Sequence, residues 1–226
     1  MITGVIKNKV DKIWTDIWAG GITNPLTVIE QLTYLMFIRS LDEKELENEA
    51  YEADGVTGID KIFPSSAAGQ SMRWHRFKNY DSKDIYAIVS QRVFPAIKAM
   101  KYGRLPDFDD KGEIIPIADN GNANAGKTAF ARYMEDAMFL IPTPQVLEKI
   151  ITGLEDLYEH DLEGLDMQGD VYEYMLGKLS IAGQNGQFRT PRHIREMMVQ
   201  LLAPTPDDSI CEQRCMGLIR YSGMGA

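Results

Sequence analysis

One stretch limits what this chain can become more than any other. From Pro25 to about Ala50 the sequence has helical spacing but apolar residues on nearly every side, most densely through Leu35, Met36, Phe37 and Ile38. A helix hydrophobic all round cannot sit on a surface; it must be surrounded, so it is expected to form the spine of a helical domain. Asn24 and Pro25 provide its start, the first as a side-chain cap and the second as a first-turn proline whose missing N–H costs nothing there. Between Asp42 and Glu52 the same helix turns acidic, which by composition reads as a solvated end or a face that repels DNA.

The flanking segments supply partners for such a spine. Ile6, Val10, Ile13, Trp14 and Ile17 fall on one face of a helix that runs to about Trp18 and is stopped by Gly20-Gly21. From Ala53 to Tyr80 the periodicity fades, and a loop this long is expected to pack in part on the core. Ser82 opens a helix with Ile85, Ile88, Val89, Val93 and Ile97 inward, ending near Tyr102-Gly103. Residues 104–126 read as a loop with a short strand at Ile114–Ile117. Phe130, Met134, Ala137 and Met138 mark another helix, and Pro142 and Pro144 break it and launch the next, with Val146, Leu147, Ile150 and Ile151 inward. The carboxylates of 155–173 have no Lys or Arg among them and read as a solvated surface. Asp170 is expected to cap a helix carrying Tyr172, Met175, Leu176 and Leu179.

A chain of 226 residues that is 44% hydrophobic can bury a real core in one or two domains. No apolar run reaches the roughly 18 residues of a membrane span, and the N-terminus lacks the apolar region of a secretory signal. Cys211 and Cys215 are too few for a disulfide framework or a closed zinc site, and His75, His160 and His193 show no ligand spacing, so no metal site is expected. A cytoplasmic location is the default. The net charge of −9 argues against an autonomous DNA-binding module, since neutralising phosphates needs clustered Lys and Arg. It fits a subunit that touches DNA with one local face while a partner supplies much of the grip.

Three motifs bear on function. Arg73, Trp74, Arg76 and Lys78, within R-W-H-R-F-K, form the densest basic-aromatic run and are candidates for contacts to phosphates or bases. The competing reading, an aromatic loop anchor with solvated charges, is favoured on composition. Residues 121–128, G-N-A-N-A-G-K-T, satisfy the spelling of a phosphate-binding P-loop. Pro116 and Asp119 spoil a buried strand before it, no second acidic motif follows, and helices succeed one another without alternating strands. An ordinary surface loop is the better reading, with nucleotide binding kept as the alternative. The third motif spans Gly183 to Leu202, a polar loop that ends in Thr190-Pro191 and a helix with Ile194, Met197, Met198, Leu201 and Leu202 at apolar spacing. A helix N-terminus there could hold an anionic group.

G-Q-F-R-T-P-R-H-I in this third stretch, preceded by D-V-Y-E-Y-M-L-G-K-L, resembles the M (modification) subunit of type I restriction-modification systems. L-T-Y-L-M-F-I-R-S-L-D-E-K-E at 32–45 and F-A-R-Y-M-E-D-A-M-F-L-I at 130–141 extend the resemblance over most of the chain up to about Cys211. It implies a mainly α fold: a helical N-terminal domain, 1–168, then a linker helix and the start of an α/β Rossmann-like methyltransferase domain, 169–210. It implies S-adenosylmethionine as cofactor of the full-length family, with Gln187, Phe188, Arg189, Thr190, Pro191 and Arg192 helping to bind it; this chain, with only a half-site, is not expected to bind it tightly. The family transfers a methyl group to adenine in double-stranded DNA and works with a specificity subunit, a second M subunit and a restriction subunit. The family's glycine loop after Cys211 and its Asn-Pro-Pro-aromatic motif are not found here, so no catalytic residue is assigned. Residues 211–226 therefore read as an aberrant tail, as a frameshift or truncated reading frame would leave. The remaining alternative is a helical interaction module with no ligand.

Overall fold

The computed structural model describes residues 4–118, 134, 137–160, 167–181, 192–203 and 205. The chain divides into two compact units, Met1–Gln184 and Asn185–Ala226.

Unit one is built on helices. Helix α1 spans Gly4–Ala19 and buries Ile6, Val10, Ile13, Trp14 and Ile17, the stripe that its spacing predicts. Helix α2 spans Pro25–Ala53, and the Asn24 side chain accepts a hydrogen bond from the Leu26 amide at 2.9 Å, as a cap should. Its middle is enclosed: Val28, Ile29, Leu32, Tyr34, Leu35, Met36 and Ile38 are all buried. The expectation of a central spine is met.

Beyond α2 the long irregular stretch does pack on the core, through Ile62, Phe63 and Met72. It holds two short helices, α3 at Ala67–Ser71 and α4 at Trp74–Phe77. Ser66 caps α3 with its hydroxyl on the Gly69 amide. Helix α5, Ser82–Ile88, continues through a π turn at Val89–Val93 into α6, Phe94–Lys98. In the π turn the Phe94 amide reaches back five residues to the Val89 carbonyl. Pro95 has no N–H and its ring crowds the carbonyl of the preceding turn, and a locally widened helix relieves both problems. Ile85, Val89, Val93 and Ile97 face inward throughout.

The helix ends at Lys98, short of the expected Tyr102-Gly103, which instead form a turn with φ of 52° and 74°. A two-stranded antiparallel hairpin comes next, with β1 at Asp107–Phe108 paired to β2 at Ile114–Ile115. The expected helix around Phe130 lies mostly outside the described residues. Residues 137–141 are not helical, and their backbone is held by Gln31, whose amide donates to the Met138 carbonyl and accepts from the Leu140 amide, both at 2.9 Å.

Helix α7, Pro144–His160, lies along α1 and α5 and buries Leu147, Ile150, Ile151, Leu154 and Leu157. Two glycines let α1 and α7 approach closely. A Cβ on Gly153 would lie 2.6 Å from Ile13 Cγ1, and one on Gly20 would lie 2.6 Å from Val146 Cγ2. Helix α8, Met167–Ile181, closes the unit by burying Val171 and Met175 and packing on α2. Asp170 sits within its first turn, not at the cap position expected of it, where a carboxylate still favours the helix dipole.

In unit two the described element is α9, Arg192–Leu202. The helix expected after Thr190-Pro191 is present, and its Met197, Met198, Val199, Leu201 and Leu202 are exposed.

A candidate functional site at the basic-aromatic run

The run from Arg73 to Lys78 enters the structure as an interior clamp. Arg73 is 1% exposed. Its guanidinium donates to Asp42 (Nε to Oδ1, 2.7 Å) and with both terminal nitrogens to Glu49. It also lies 5.8 Å from the centre of the Phe63 ring. Asp42, likewise buried, uses its second oxygen to accept the His75 backbone amide at 2.7 Å, and the His75 Nδ1 lies 2.8 Å from that same oxygen. Burial pulls the Arg73 pKa down, and the hydrogen bonds and charges of Glu49 and Asp42 more than reverse this, leaving it above the ordinary arginine value.

The acidic end of α2 is therefore only in part the solvated face that its composition suggests: Glu43 and Glu47 are exposed, but another row of carboxylates turns toward the fold. Asp42, Glu45 and Glu49 recur at helical spacing and extend the inward stripe of Gln31, Leu35 and Ile38. Glu45 is buried as well, and its carboxylate accepts the Ile62 amide at 2.8 Å. The three carboxylates are the docking groups for the irregular stretch beyond α2, and each meets a donor that would otherwise be stranded in the interior.

A carboxylate from another helix completes the clamp. Glu155 of α7 accepts the Trp74 indole N–H at 2.7 Å and Arg39 Nε at 3.2 Å, and pairs with Lys78 through its other oxygen. Burial would raise its pKa, but hydrogen bonds from Lys78 and Trp74, the Lys78 charge and Arg39 outweigh that and hold it below its ordinary 4.5. Arg39 in turn lies 3.8 Å from the Tyr158 ring centre and pairs with Glu43. One short run thus joins α2 to α7.

Of the four residues singled out for nucleic-acid contact, Arg73 and Trp74 are enclosed and Lys78 is engaged by Glu155, so those three charges and donors point into the fold. Arg76 alone is exposed. The aromatic-anchor reading describes the geometry better, with the correction that the charges of Arg73 and Lys78 are paired, while that of Arg76 is exposed. Gln187, Phe188, Arg189, Thr190 and Pro191 lie outside the described residues, as do 121–128; Arg192 is the first residue of α9. Among the described residues no group of His, Cys, Asp or Glu could hold a metal ion, and no helix is long and apolar enough to cross a membrane.

Glu155 was missed in the sequence because it is one of many carboxylates between 155 and 173. The available signal was its phase: it follows Leu147, Ile151 and Leu154 along α7 closely enough to lie at the edge of the buried stripe.

Fold and clamp together define a helical N-terminal module whose last helix leads into a further unit. The HsdM N-terminal domain family matches residues 6–154, well over half the chain, and the chain belongs to that family. The N-6 DNA methylase family matches residues 163–217, running past Cys211. The type I restriction enzyme EcoEI methylase subunit of Escherichia coli is 25% identical over 216 residues, which cover 95% of this chain and 39% of that protein. The chain spans about two fifths of the length of the curated relative it matches. No solved structure matches. The family boundary does not coincide with the structural one, since α8 lies within the methylase match and yet packs in unit one.

Proposed function

We propose that this chain is the N-terminal portion of a type I modification subunit and serves its assembly with a specificity subunit and DNA. The observation that carries this reading is the order of the two matches, the HsdM N-terminal domain at 6–154 and then the N-6 DNA methylase at 163–217. The complete subunit would work in the cytoplasm alongside a second M subunit and a restriction subunit, moving a methyl group from S-adenosylmethionine to adenine in double-stranded DNA. Arg76, exposed beside the clamp, is the residue of the basic run free to meet a phosphate.

In the complete subunit, cofactor binding is proposed for Gln187, Phe188, Arg189, Thr190, Pro191 and Arg192, which alone form a half-site too incomplete to hold it tightly. Support comes from α9, which starts at Arg192 and so presents a helix N-terminus next to this stretch. Free amides there, with an arginine beside them, suit the carboxylate of S-adenosylmethionine. The Asn-Pro-Pro-aromatic motif that would grip an extruded adenine does not occur in residues 1–226, so the chain by itself is proposed to lack turnover. The test is methyl incorporation into DNA from labelled cofactor. The isolated chain should give background counts, and turnover above background would refute the assignment.

A further inference from the structure

We infer that α8 is a releasable joint, latched to α1 by Asp11, Trp14, Tyr174 and Lys178. These groups lie far apart in sequence and meet on one side of α8. Lys178 Nζ is 2.6 Å from Asp11 Oδ1, and the Tyr174 hydroxyl donates to that same oxygen at 2.8 Å. The Lys178 ammonium also lies 5.3 Å from the Trp14 ring centre and 5.4 Å from that of Tyr174, and Lys7 is 5.8 Å from the latter. One carboxylate thus gathers a phenol and an ammonium, and the ammonium rests on two aromatic faces.

The latch matters because the described part of the helix buries few large apolar side chains. Helix α8 has 15 residues, about the length at which an isolated helix becomes marginal, and it carries Gly177 in its body and Gly169 in its first turn. Among its described side chains, the apolar attachment rests on Val171 and Met175, with Tyr174 and Leu176 partly buried, while Tyr172 is exposed. Helix α7, by contrast, sinks five large aliphatic side chains into the same core. Elements with few buried contacts open first and alone, and α8 has the profile of such an element. Its position gives the opening a consequence. It is the helix by which the chain leaves unit one, and it belongs to the segment that the methylase family matches. Release of α8 would detach from α1 the first described helix of the segment that the methylase family matches, with α1, α2 and α7 still folded.

Hydrogen exchange on the full chain tests this without cofactor or DNA, so its failure would leave the family reading untouched. In the double variant Asp11→Asn, Lys178→Met, amides of 167–181 should exchange roughly tenfold faster, the combined effect of one exposed ion pair, a ring contact and a hydrogen bond. Amides of 144–160 should keep their protection. The unmodified protein provides a second measurement that no folding defect can confound. Asp11 is 43% exposed, so raising salt to about 1 M should screen the latch and speed exchange in α8 more than in α7. Unchanged exchange in α8 under both conditions, or equal acceleration of α8 and α7, would overturn the inference.

Discussion

Arg73 and Asp42, 31 residues apart in sequence, form an ion pair at 2.7 Å in which both side chains are almost wholly removed from water. Two unpaired charges at that depth would each carry a heavy desolvation penalty; together, with Glu49 and the His75 amide completing their hydrogen bonds, they fix where the irregular stretch lies on α2.

Removing one partner should therefore cost far more than a surface pair would. Arg73→Met leaves Asp42 buried with its Oδ1 unmatched, and is expected to lower the free energy of unfolding by about 3 kcal/mol or more. Chemical denaturation gives this directly. A loss within a few tenths of a kcal/mol would mean that water reaches Asp42 in the native protein.

Glu155 predicts a pH dependence with a defined sign. Its folded pKa lies below the ordinary 4.5, so the native state holds its proton less tightly than the unfolded chain does. The stabilisation is fully present above the unfolded value and is lost as pH falls through the folded one. Glu155→Gln should flatten this acid-side loss, at a cost in stability near neutrality because Lys78 and Arg39 lose their shared partner. Unfolding midpoints measured from neutral pH downward would show both effects, and an unaltered acid limb would contradict the assignment.

The contact between Gly153 and Ile13 is too close for a side chain. Gly153→Leu should separate α7 from α1, with a penalty of about 1–3 kcal/mol for overpacking. Thermal unfolding should show a lower midpoint. At Gly112, whose φ is +80° and where a Cβ would meet no neighbour, the cause of any loss would be backbone strain instead.

Tyr174 offers a spectroscopic check on the α1–α8 contact. Burial first, and then the hydrogen bond and charge of Asp11, raise its phenol above the ordinary 10. Asp11→Asn should bring it down part of the way, leaving the share due to burial. Ring carbon shifts followed through alkaline pH would report it; a midpoint that does not move would break the link between the two residues.

Local patterns read the apolar skeleton well. The α1 stripe, the Asn24-Pro25 start and the inward face of α7 all rest on interactions within a turn or two of sequence, which is the range that periodicity senses. The interior charges were misread for the opposite reason. Asp42 and Glu155 look like surface residues beside their neighbours in sequence, and are drawn in, Asp42 fully and Glu155 in part, through Arg73, Trp74 and Lys78, which chain folding brings from 31 to 81 positions away. Composition treated the acidic end of α2 as one block, whereas its phase divides it into an inward row of Asp42, Glu45 and Glu49 and an outward remainder. The stretch proposed to bind cofactor rests on resemblance to a family alone, and of its residues only Arg192, the start of α9, lies among the described ones.

The most direct measurement of the central claim is co-purification of this chain, tagged and expressed with the specificity subunit of a type I system from the same source. The account predicts a complex that survives size exclusion and binds double-stranded DNA, with Arg76→Glu weakening the binding and leaving the complex intact. A chain that elutes alone, under conditions where its helical unit is folded, would contradict it.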